Sequence, residues 1–243
     1  MKKCLSFFMF LSVLVHAGMK DGYYDNARKQ MLEVIQEQVR EGSAYLRKKS
    51  LDEEVINAMR SVPRHEFVPL IHRVSSYANR PLSIGYGQTI SQPYIVALMT
   101  DLLELKQDDK VLEVGTGSGY QAAILAELTG DVFTIEIIEK LAETGAAVLK
   151  QQNYGNVQTR VGDGYYGWRE EAPFDAIVVT AAADHIPPPL VRQLKPGGRM
   201  VIPVGSRFMV QQLVLLKKDL KGSVSLRQIL PVRFVPLTGG HDE

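Results

Sequence analysis

The sequence has almost no cysteine, and this scarcity limits what the chain can be. Cys4 is the single cysteine among 243 residues, so the chain can build neither a disulfide framework nor a cysteine-based zinc site. The five histidines are scattered, and no two of them have the spacing of paired metal ligands. We therefore expect no metal site.

An excess of charge of one sign is also lacking. The chain carries 28 basic and 27 acidic residues, a formal net charge of +1. Nucleic-acid-binding domains usually carry a large basic excess, so we expect no nucleic-acid partner. The length of 243 residues suits one α/β domain with additions.

No apolar run near the N-terminus is long enough to span a membrane. Residues 5–15 are apolar apart from two serines, two lysines precede them, and residues 15–17 have the small-residue spacing that signal peptidases prefer. This layout predicts a signal peptide at residues 1–17 and a periplasmic or secreted mature protein without a membrane segment. A buried N-terminal helix is one alternative. Initiation at Met19, which would give a cytoplasmic protein, is another.

A glycine-rich turn organises the rest of the chain. The apolar run 110–114 stops at Gly115, Gly117 and Gly119, and a helical pattern follows. Such a strand, turn and helix presents unpaired N–H groups and a partial positive charge to a ligand. The dinucleotide fingerprint is G-x-G-x-x-G, whereas the spacing here is G-x-G-x-G with Glu113 before it. This variant, which includes Thr116, resembles the first motif of S-adenosylmethionine (AdoMet) methyltransferases.

Two acidic residues follow the next strands. Glu136 ends the predicted strand 131–136, 21 positions after Gly115, where a carboxylate is suited to the two ribose hydroxyls of a nucleotide-like ligand. Asp163, between Gly162 and Gly164, follows the predicted strand 156–161. It can accept a hydrogen bond from an adenine amino group, or it can simply form a turn.

The alternation of patterns predicts an α/β fold, and the resemblance of the glycine turn implies that it is a Rossmann-like AdoMet-dependent methyltransferase fold. It has a doubly wound, mostly parallel sheet, C-terminal antiparallel strands and an N-terminal helical addition. The predicted boundaries are 1–17 for the signal peptide, 18–81 for the helical addition and 82–243 for the methyltransferase domain, with 18–243 forming one globular unit. The predicted helices are 25–47, 52–60, 94–105, 119–129, 139–152 and 187–194. The predicted strands are 110–114, 131–136, 156–161, 173–180, 200–204, 209–217 and 224–235, with a turn at 195–198.

The segment 81–94 reads as a loop with a short extended piece at its start. It contains Gly87-Gln88-Thr89-Ile90-Ser91-Gln92-Pro93 and leads into the helix at 94. Thr89 and Ser91 could simply cap that helix, and for Ser91 taken alone capping is the favoured interpretation.

Together these motifs resemble the protein-L-isoaspartate (D-aspartate) O-methyltransferase family, from about residue 33 to residue 237. The segment 87–93 is the most specific match, because the general methyltransferase fold does not require it. Further matches lie at 62–68, 162–164, 172–177, 194–199 and 232–237.

The resemblance implies methyl transfer from AdoMet to the α-carboxylate of L-isoaspartyl residues in damaged proteins and peptides, giving an ester that collapses to a succinimide. It implies that Ser91 is the active-site serine. It assigns substrate binding to Thr89, Ser91, Val235, Leu237 and Thr238. It assigns AdoMet binding to Gln88, Thr89, Ile90, Glu113, Gly115, Thr116, Gly117, Gly119, Glu136, Gly162, Asp163 and Gly164. Separately, we expect the protein to be a monomer.

Three other functions are compatible with parts of the sequence. The chain could be an AdoMet methyltransferase for a small molecule or RNA, a nicotinamide-dependent dehydrogenase, or an exported, inactive peptide-binding homologue. The segment 87–93 argues against the first and the glycine spacing against the second. The intact Glu136, Asp163 and Ser91 argue against the third. An export signal is unusual for this family, which is best known inside cells, where AdoMet is made.

Overall fold

A seven-stranded sheet forms the centre of the computed structural model, which describes residues 4–206 and 208–240, with side chains from residue 22 onward. Two strands, β1 Leu82–Gly85 and β2 Gln88–Ile90, form a separate two-stranded sheet. The strands of the seven-stranded sheet are β3 Lys110–Val114, β4 Asp131–Glu136, β5 Val157–Val161, β6 Phe174–Val179, β7 Leu194–Val204, β8 Gln211–Lys218 and β9 Val224–Val232. The sheet has the order β5-β4-β3-β6-β7-β8-β9. Strands β3 to β7 are parallel, and β8 and β9 are antiparallel. The predicted fold class is confirmed.

The central strands are apolar at successive positions because the sheet is covered on both faces. Val111 and Leu112 are adjacent in β3, yet their side chains belong to different core clusters. The same alternation occurs in β6, where Val178 belongs to the first cluster and Val179 to the second. The sheet is thus packed on both faces. Because these strands are parallel, their carboxyl ends lie at one edge of the sheet, where a ligand can bind.

Helices and short 3-10 turns cover the two faces. The α-helices are α1 Cys4–Glu41, α2 Ser43–Leu46, α3 Glu53–Ser61, α4 Pro93–Leu103, α5 Tyr120–Ala126, α6 Glu139–Gln151 and α7 Pro188–Gln193. The 3-10 turns are Arg64–Phe67, Leu70–Ser75, Gly164–Tyr166 and Arg169–Glu171. Buried residues of α1, α3, α4 and α5 join the first cluster, whereas Leu190 of α7 joins the second.

Several element boundaries differ from the sequence-based expectation. The first long helix ends at Glu41 rather than near residue 47. The predicted turn at 195–198 lies inside β7 as an irregularity, because pairing with β6 jumps from Phe174↔Leu194 to Ala176↔Arg199. Strand β9 stops at Val232, and the Gln211 side chain then bonds both the N–H (2.6 Å) and the carbonyl (3.2 Å) of Phe234.

The N-terminal expectations fall on residues whose side chains the structure does not describe. The predicted signal peptide, residues 1–17, lies outside the part of the chain whose side chains are described. Within the described residues, no helix has both the length and the apolar character needed to cross a membrane. The same residues contain no cluster of three or more His, Cys, Asp or Glu side chains that could hold a metal ion.

Candidate functional site

The glycine turn lies flat against the ends of three neighbouring strands. The N–H groups of Gly115 and Thr116 donate to the carbonyl of Ile135, at 2.8 and 3.2 Å, and so tie the end of β3 to β4. Gly115 has φ +100°, and a Cβ atom there would overlap Thr180 Oγ1, just beyond β6. Only glycine fits this backbone conformation in this space.

The Glu136 side chain connects the glycine turn to the start of α6. One carboxylate oxygen accepts the Gly117 N–H and the other accepts the Ile138 N–H, both at 2.9 Å. A carboxylate can accept about four hydrogen bonds, so these two leave capacity for a pair of ligand hydroxyls. The structure thus brings together Glu136 and Gly117, two of the residues predicted to bind the cofactor.

Glu113 lies behind the turn with no exposure to solvent. Its Oε2 accepts the Thr134 hydroxyl at 2.5 Å, and Thr134 in turn bonds the Thr116 hydroxyl at 2.6 Å. Its Oε1 has no hydrogen-bond partner within the described part of the chain. Burial raises the pKa of Glu113 to about 8; the Thr134 hydrogen bond opposes this shift and the charge of Glu136 adds to it.

The segment with the most specific family match forms a β-hairpin and then opens α4. Strands β1 and β2 pair antiparallel, with Ser83 opposite Thr89. Gln92 is the N-cap residue of α4 and Pro93 its first residue, and the Gln92 side chain makes no capping hydrogen bond. The Asn79 side chain, rather than Thr89 or Ser91, accepts a backbone N–H of the first turn, that of Tyr94. The hydroxyls of Thr89 and Ser91 therefore do not serve as helix caps.

A buried cation fixes the backbone at Ser91. Arg64 is 0% exposed; its Nε donates to the Ser76 carbonyl and its Nη2 to the Ser91 carbonyl, both at 2.7 Å. The guanidinium also lies 4.8 Å from the centre of the Tyr120 ring. Burial lowers the pKa of Arg64 to about 10, so the group stays cationic at neutral pH. The sequence analysis missed this role, because an arginine usually lies on the surface.

Two cavities meet at the carboxyl edge of the sheet. The first, which we call the hairpin cavity, is lined by Gln38, Pro81, Thr89, Ser91, Gln92, Tyr94, Ile95, Thr180 and residues 230–235. The second, which we call the glycine-turn cavity, is lined by Ile84, Gln88, Thr89, Val114, Gly115, Gly117, residues 135–138, Gly164, Thr180, Ala181 and residues 235–238. Thr89, Thr180 and Val235 line both. These three residues form the junction between a serine-bearing cavity and a carboxylate-bearing cavity.

A small third cavity lies along the back of the turn. Ile90 and Thr116 line it together with Ser91, Glu113 and Gly115. Ile90 is also part of the first hydrophobic cluster, with 4% exposure. The Glu113 carboxyl group, whose Oε1 has no hydrogen-bond partner among the described residues, thus lies at the same edge of the sheet as Ser91.

The residues after β5 occupy the expected edge. The Gly162 N–H donates to the Glu136 carbonyl at 2.9 Å, and Asp163 accepts the Tyr165 N–H at 3.0 Å. Gly239 packs directly on the Asp163 carboxylate, because a Cβ atom there would overlap it. The C-terminal segment thus lies against Asp163, the side chain predicted to contact the adenine.

Gly119, with φ +86°, is the N-cap residue of α5.

The predicted substrate residues separate into two groups. Val235 lies at the junction, whereas Leu237 and Thr238 line the glycine-turn cavity without Ser91. The Val235 carbonyl accepts the Ala182 N–H at 2.8 Å, and the Leu237 N–H donates to the Ala182 carbonyl at 2.7 Å. These two backbone groups are therefore already paired within the chain and are not available to a peptide.

Thr180 is a junction residue that the sequence analysis did not single out. Its hydroxyl lies 2.8 Å from the Gly115 carbonyl and 3.0 Å from the Val114 carbonyl, and it lines both cavities. A signal for it existed, because it is the first residue after the central strand β6, and ligands bind at such strand ends.

Comparison with known proteins gives a consistent result. The model of the protein-L-isoaspartate(D-aspartate) O-methyltransferase family matches residues 37–242. A protein-L-isoaspartate O-methyltransferase 2 from Syntrophobacter fumaroxidans is 63% identical over 224 residues, which cover 92% of this chain and 91% of that protein. A protein-L-isoaspartate O-methyltransferase 1 from Nitrosospira multiformis is 64% identical over 187 residues, which cover 77% of this chain and 79% of that protein.

Solved structures agree with the sequence comparisons. A protein-L-isoaspartate O-methyltransferase superposes with a TM-score of 0.75 at 28% identity, over 87% of this chain and 66% of that one. A Plasmodium falciparum protein described by the same activity, solved in complex with S-adenosyl-L-homocysteine, superposes with a TM-score of 0.70 at 25% identity, over 87% of this chain and 98% of that one. The chain therefore belongs to the protein-L-isoaspartate(D-aspartate) O-methyltransferase family.

Proposed function

We propose that methyl transfer takes place at the junction of the two cavities, with AdoMet in the glycine-turn cavity and the isoaspartyl residue in the hairpin cavity. As a member of its family, the chain methylates the α-carboxylate of L-isoaspartyl residues in damaged proteins. The ester then collapses to a succinimide, whose hydrolysis returns part of it to normal aspartate. The observation that carries the proposal is that Thr89, Thr180 and Val235 line both cavities, which supports neighbouring positions for the two proposed ligands.

The residues around the glycine-turn cavity fit AdoMet, which supplies an electrophilic methyl group. The Glu136 carboxylate has acceptor capacity for the ribose hydroxyls, and the side-chain-free backbone at Gly115 admits a close ligand. The unpartnered Oε1 of Glu113 provides a further polar group. We propose the following set for AdoMet binding: Gln88, Thr89, Ile90, Glu113, Gly115, Thr116, Gly117, Gly119, Glu136, Gly162, Asp163 and Gly164.

The substrate side demands positioning rather than a base. A carboxylate is already ionised and nucleophilic at neutral pH, so its oxygen needs only to be held in line with the methyl group. We propose that the Ser91 hydroxyl donates a hydrogen bond to this carboxylate and forms no covalent intermediate. Thr89, Val235, Leu237 and Thr238 complete the proposed contacts with the polypeptide substrate.

Substitution of Ser91 tests the substrate side of the proposal. Protein lacking residues 1–17 is incubated with methyl-labelled AdoMet and two peptides that differ only in L-isoaspartate or L-aspartate. We expect base-labile label on the isoaspartyl peptide alone, and a kcat/KM about tenfold to hundredfold lower for Ser91→Ala, because a hydrogen bond to a charged group is lost. Binding of S-adenosyl-L-homocysteine, measured by calorimetry, should not change.

Ser83→Ala is the matched control, since Ser83 lies on the exposed side of the same hairpin. Full kcat/KM in Ser91→Ala would remove the assigned role. Labelling of neither peptide by a wild-type protein that binds S-adenosyl-L-homocysteine would instead contradict the proposed substrate.

We also propose that residues 18–81 and 82–243 form one monomeric folding unit. Met31 and Ile35 of α1 share a hydrophobic cluster with Val111 of β3, which supports a common core. One cooperative urea transition and a monomeric mass in sedimentation are the corresponding observations. Two separate transitions, or a dimeric mass, would contradict this organisation.

For location, we propose that residues 1–17 direct export of the precursor. The basic, apolar and small-residue order of the segment supports this. A fusion of residues 1–24 to a reporter that is active only after export should give reporter activity, and the same fusion with the apolar run interrupted by two arginines should not. An inactive intact fusion, with the natural protein beginning at Met19, would favour the cytoplasm.

A further inference from the structure

Gln38 of α1 reaches the hairpin cavity from the helical part of the chain. It is half-buried and lines that cavity together with Thr89 and Ser91, although it lies far from both in the sequence. The function proposed above places the isoaspartyl substrate in this cavity. Gln38 is thus a polar group from a different layer of the fold on the wall of the substrate site.

Asn79 fixes the orientation of the Gln38 side chain. The backbone N–H of Tyr94, which can only donate, bonds Asn79 Oδ1 at 3.0 Å. This contact turns the Asn79 amide so that its Nδ2 faces Gln38, and Nδ2 donates to Gln38 Oε1 at 2.7 Å. The backbone donor therefore sets both amide orientations.

The side-chain carbonyl of Gln38 thus already accepts a hydrogen bond, and the side-chain amide nitrogen is the polar group that can still bond a ligand. Among the described residues, Gln38 Nε2 has no hydrogen-bond partner. An amide nitrogen carries two donor hydrogens and no acceptor. Its natural complement is an oxygen atom, and a polypeptide that enters this cavity offers carbonyl and carboxylate oxygens.

We propose that Gln38 is a substrate-binding residue whose amide N–H₂ donates to an oxygen of the isoaspartyl segment. This inference rests on the proposed function. Two observations carry it: Gln38 shares a cavity wall with Ser91, and Asn79 holds the amide so that only its donor end is free. Gln38 thereby links the N-terminal helix to substrate recognition.

Gln38→Glu is the discriminating substitution, because it separates a bracing role from a binding role. A glutamate keeps an oxygen for Asn79 Nδ2 and replaces the free N–H₂ with an oxygen that repels substrate oxygens. We expect kcat/KM for the isoaspartyl peptide to fall at least tenfold, mainly through a higher KM. The affinity for S-adenosyl-L-homocysteine should stay within about twofold, and Tm within about 2 °C, since the Asn79 contact is retained.

The control is Gln36→Glu, which places the same charge at an exposed position of the same helix. Wild-type kinetics in Gln36→Glu with a raised KM in Gln38→Glu would support the inference. Wild-type kinetics in both variants would overturn it and leave Gln38 as a brace between α1 and Asn79. A wild-type protein that methylates neither peptide would contradict the proposed function and this inference with it.

Discussion

Replacement of Glu136 by alanine is expected to weaken the binding of S-adenosyl-L-homocysteine about a hundredfold or more. The carboxylate holds the Gly117 and Ile138 N–H groups at 2.9 Å and is the proposed acceptor for both ribose hydroxyls. Each hydrogen bond to a charged group contributes about 1.5–3 kcal/mol. The loss of the two hydrogen bonds to the ribose hydroxyls therefore accounts by itself for a decrease in affinity of about a hundredfold or more. Titration calorimetry with the purified protein measures it directly.

The preorganisation of the turn adds to this effect. Without the Glu136 carboxylate, the Gly117 N–H at the glycine turn loses its acceptor, and the turn no longer has a fixed distance to α6. Glu139→Ala is the matched control, because it removes an exposed carboxylate from the first turn of the same helix. Binding by Glu136→Ala as tight as that of wild type would show that the ribose lies elsewhere.

The sequence was sufficient to predict the sheet and the position of the glycine turn and Glu136 at its carboxyl edge. Strong local signals carry this part, because β3 and β6 are mostly apolar, the glycine turn directly follows β3, and Glu136 is the last residue of β4. The structure places Glu136 on the turn through one hydrogen bond to Gly117. A short-range pattern of residue types is enough to predict contacts of this kind.

The sequence was insufficient where contacts come from distant elements. Gln38 enters the hairpin cavity because α1 packs on α4, and Arg64 reaches the Ser91 carbonyl from the turn after α3. No local pattern encodes these contacts. The segment 195–198 is a related case. Lys195-Pro196-Gly197-Gly198 is a strong turn signal and these four residues have no partner in β6, but Leu194 and Arg199 on either side of them do, so the turn becomes an irregularity within β7.

The second large expected effect is on the stability of the folded protein rather than on ligand affinity, and it arises from the buried carboxyl group of Glu113. Its pKa is about 8 in the folded protein against an ordinary value of 4.5, mainly because of burial. Between these values the folded state holds a proton that the unfolded state has lost. The contribution of Glu113 to stability is therefore complete below about pH 4.5, falls as pH rises, and is lost by about pH 8.

Glu113→Gln is expected to remove this pH dependence. The glutamine carbonyl can still accept the Thr134 hydroxyl, and the side chain stays neutral at every pH. Relative to the variant, the wild type should lose about 1.4 kcal/mol of unfolding free energy for each pH unit between about 5 and 8, a few kcal/mol in total. Urea unfolding at several pH values within this window measures the difference.

Comparison with Glu33→Gln, which removes an exposed carboxylate from α1, separates burial from a general change in net charge. Parallel stability profiles for the wild type and Glu113→Gln would show that Glu113 is ionised in the folded protein throughout this window. A flatter profile for Glu113→Gln alone would show that the fold keeps a neutral carboxyl group behind the glycine turn. Binding of AdoMet in the glycine-turn cavity, as proposed above, would then shift Glu113 toward its anionic form, because a nearby positive charge such as the sulfonium of AdoMet lowers the pKa of a carboxyl group.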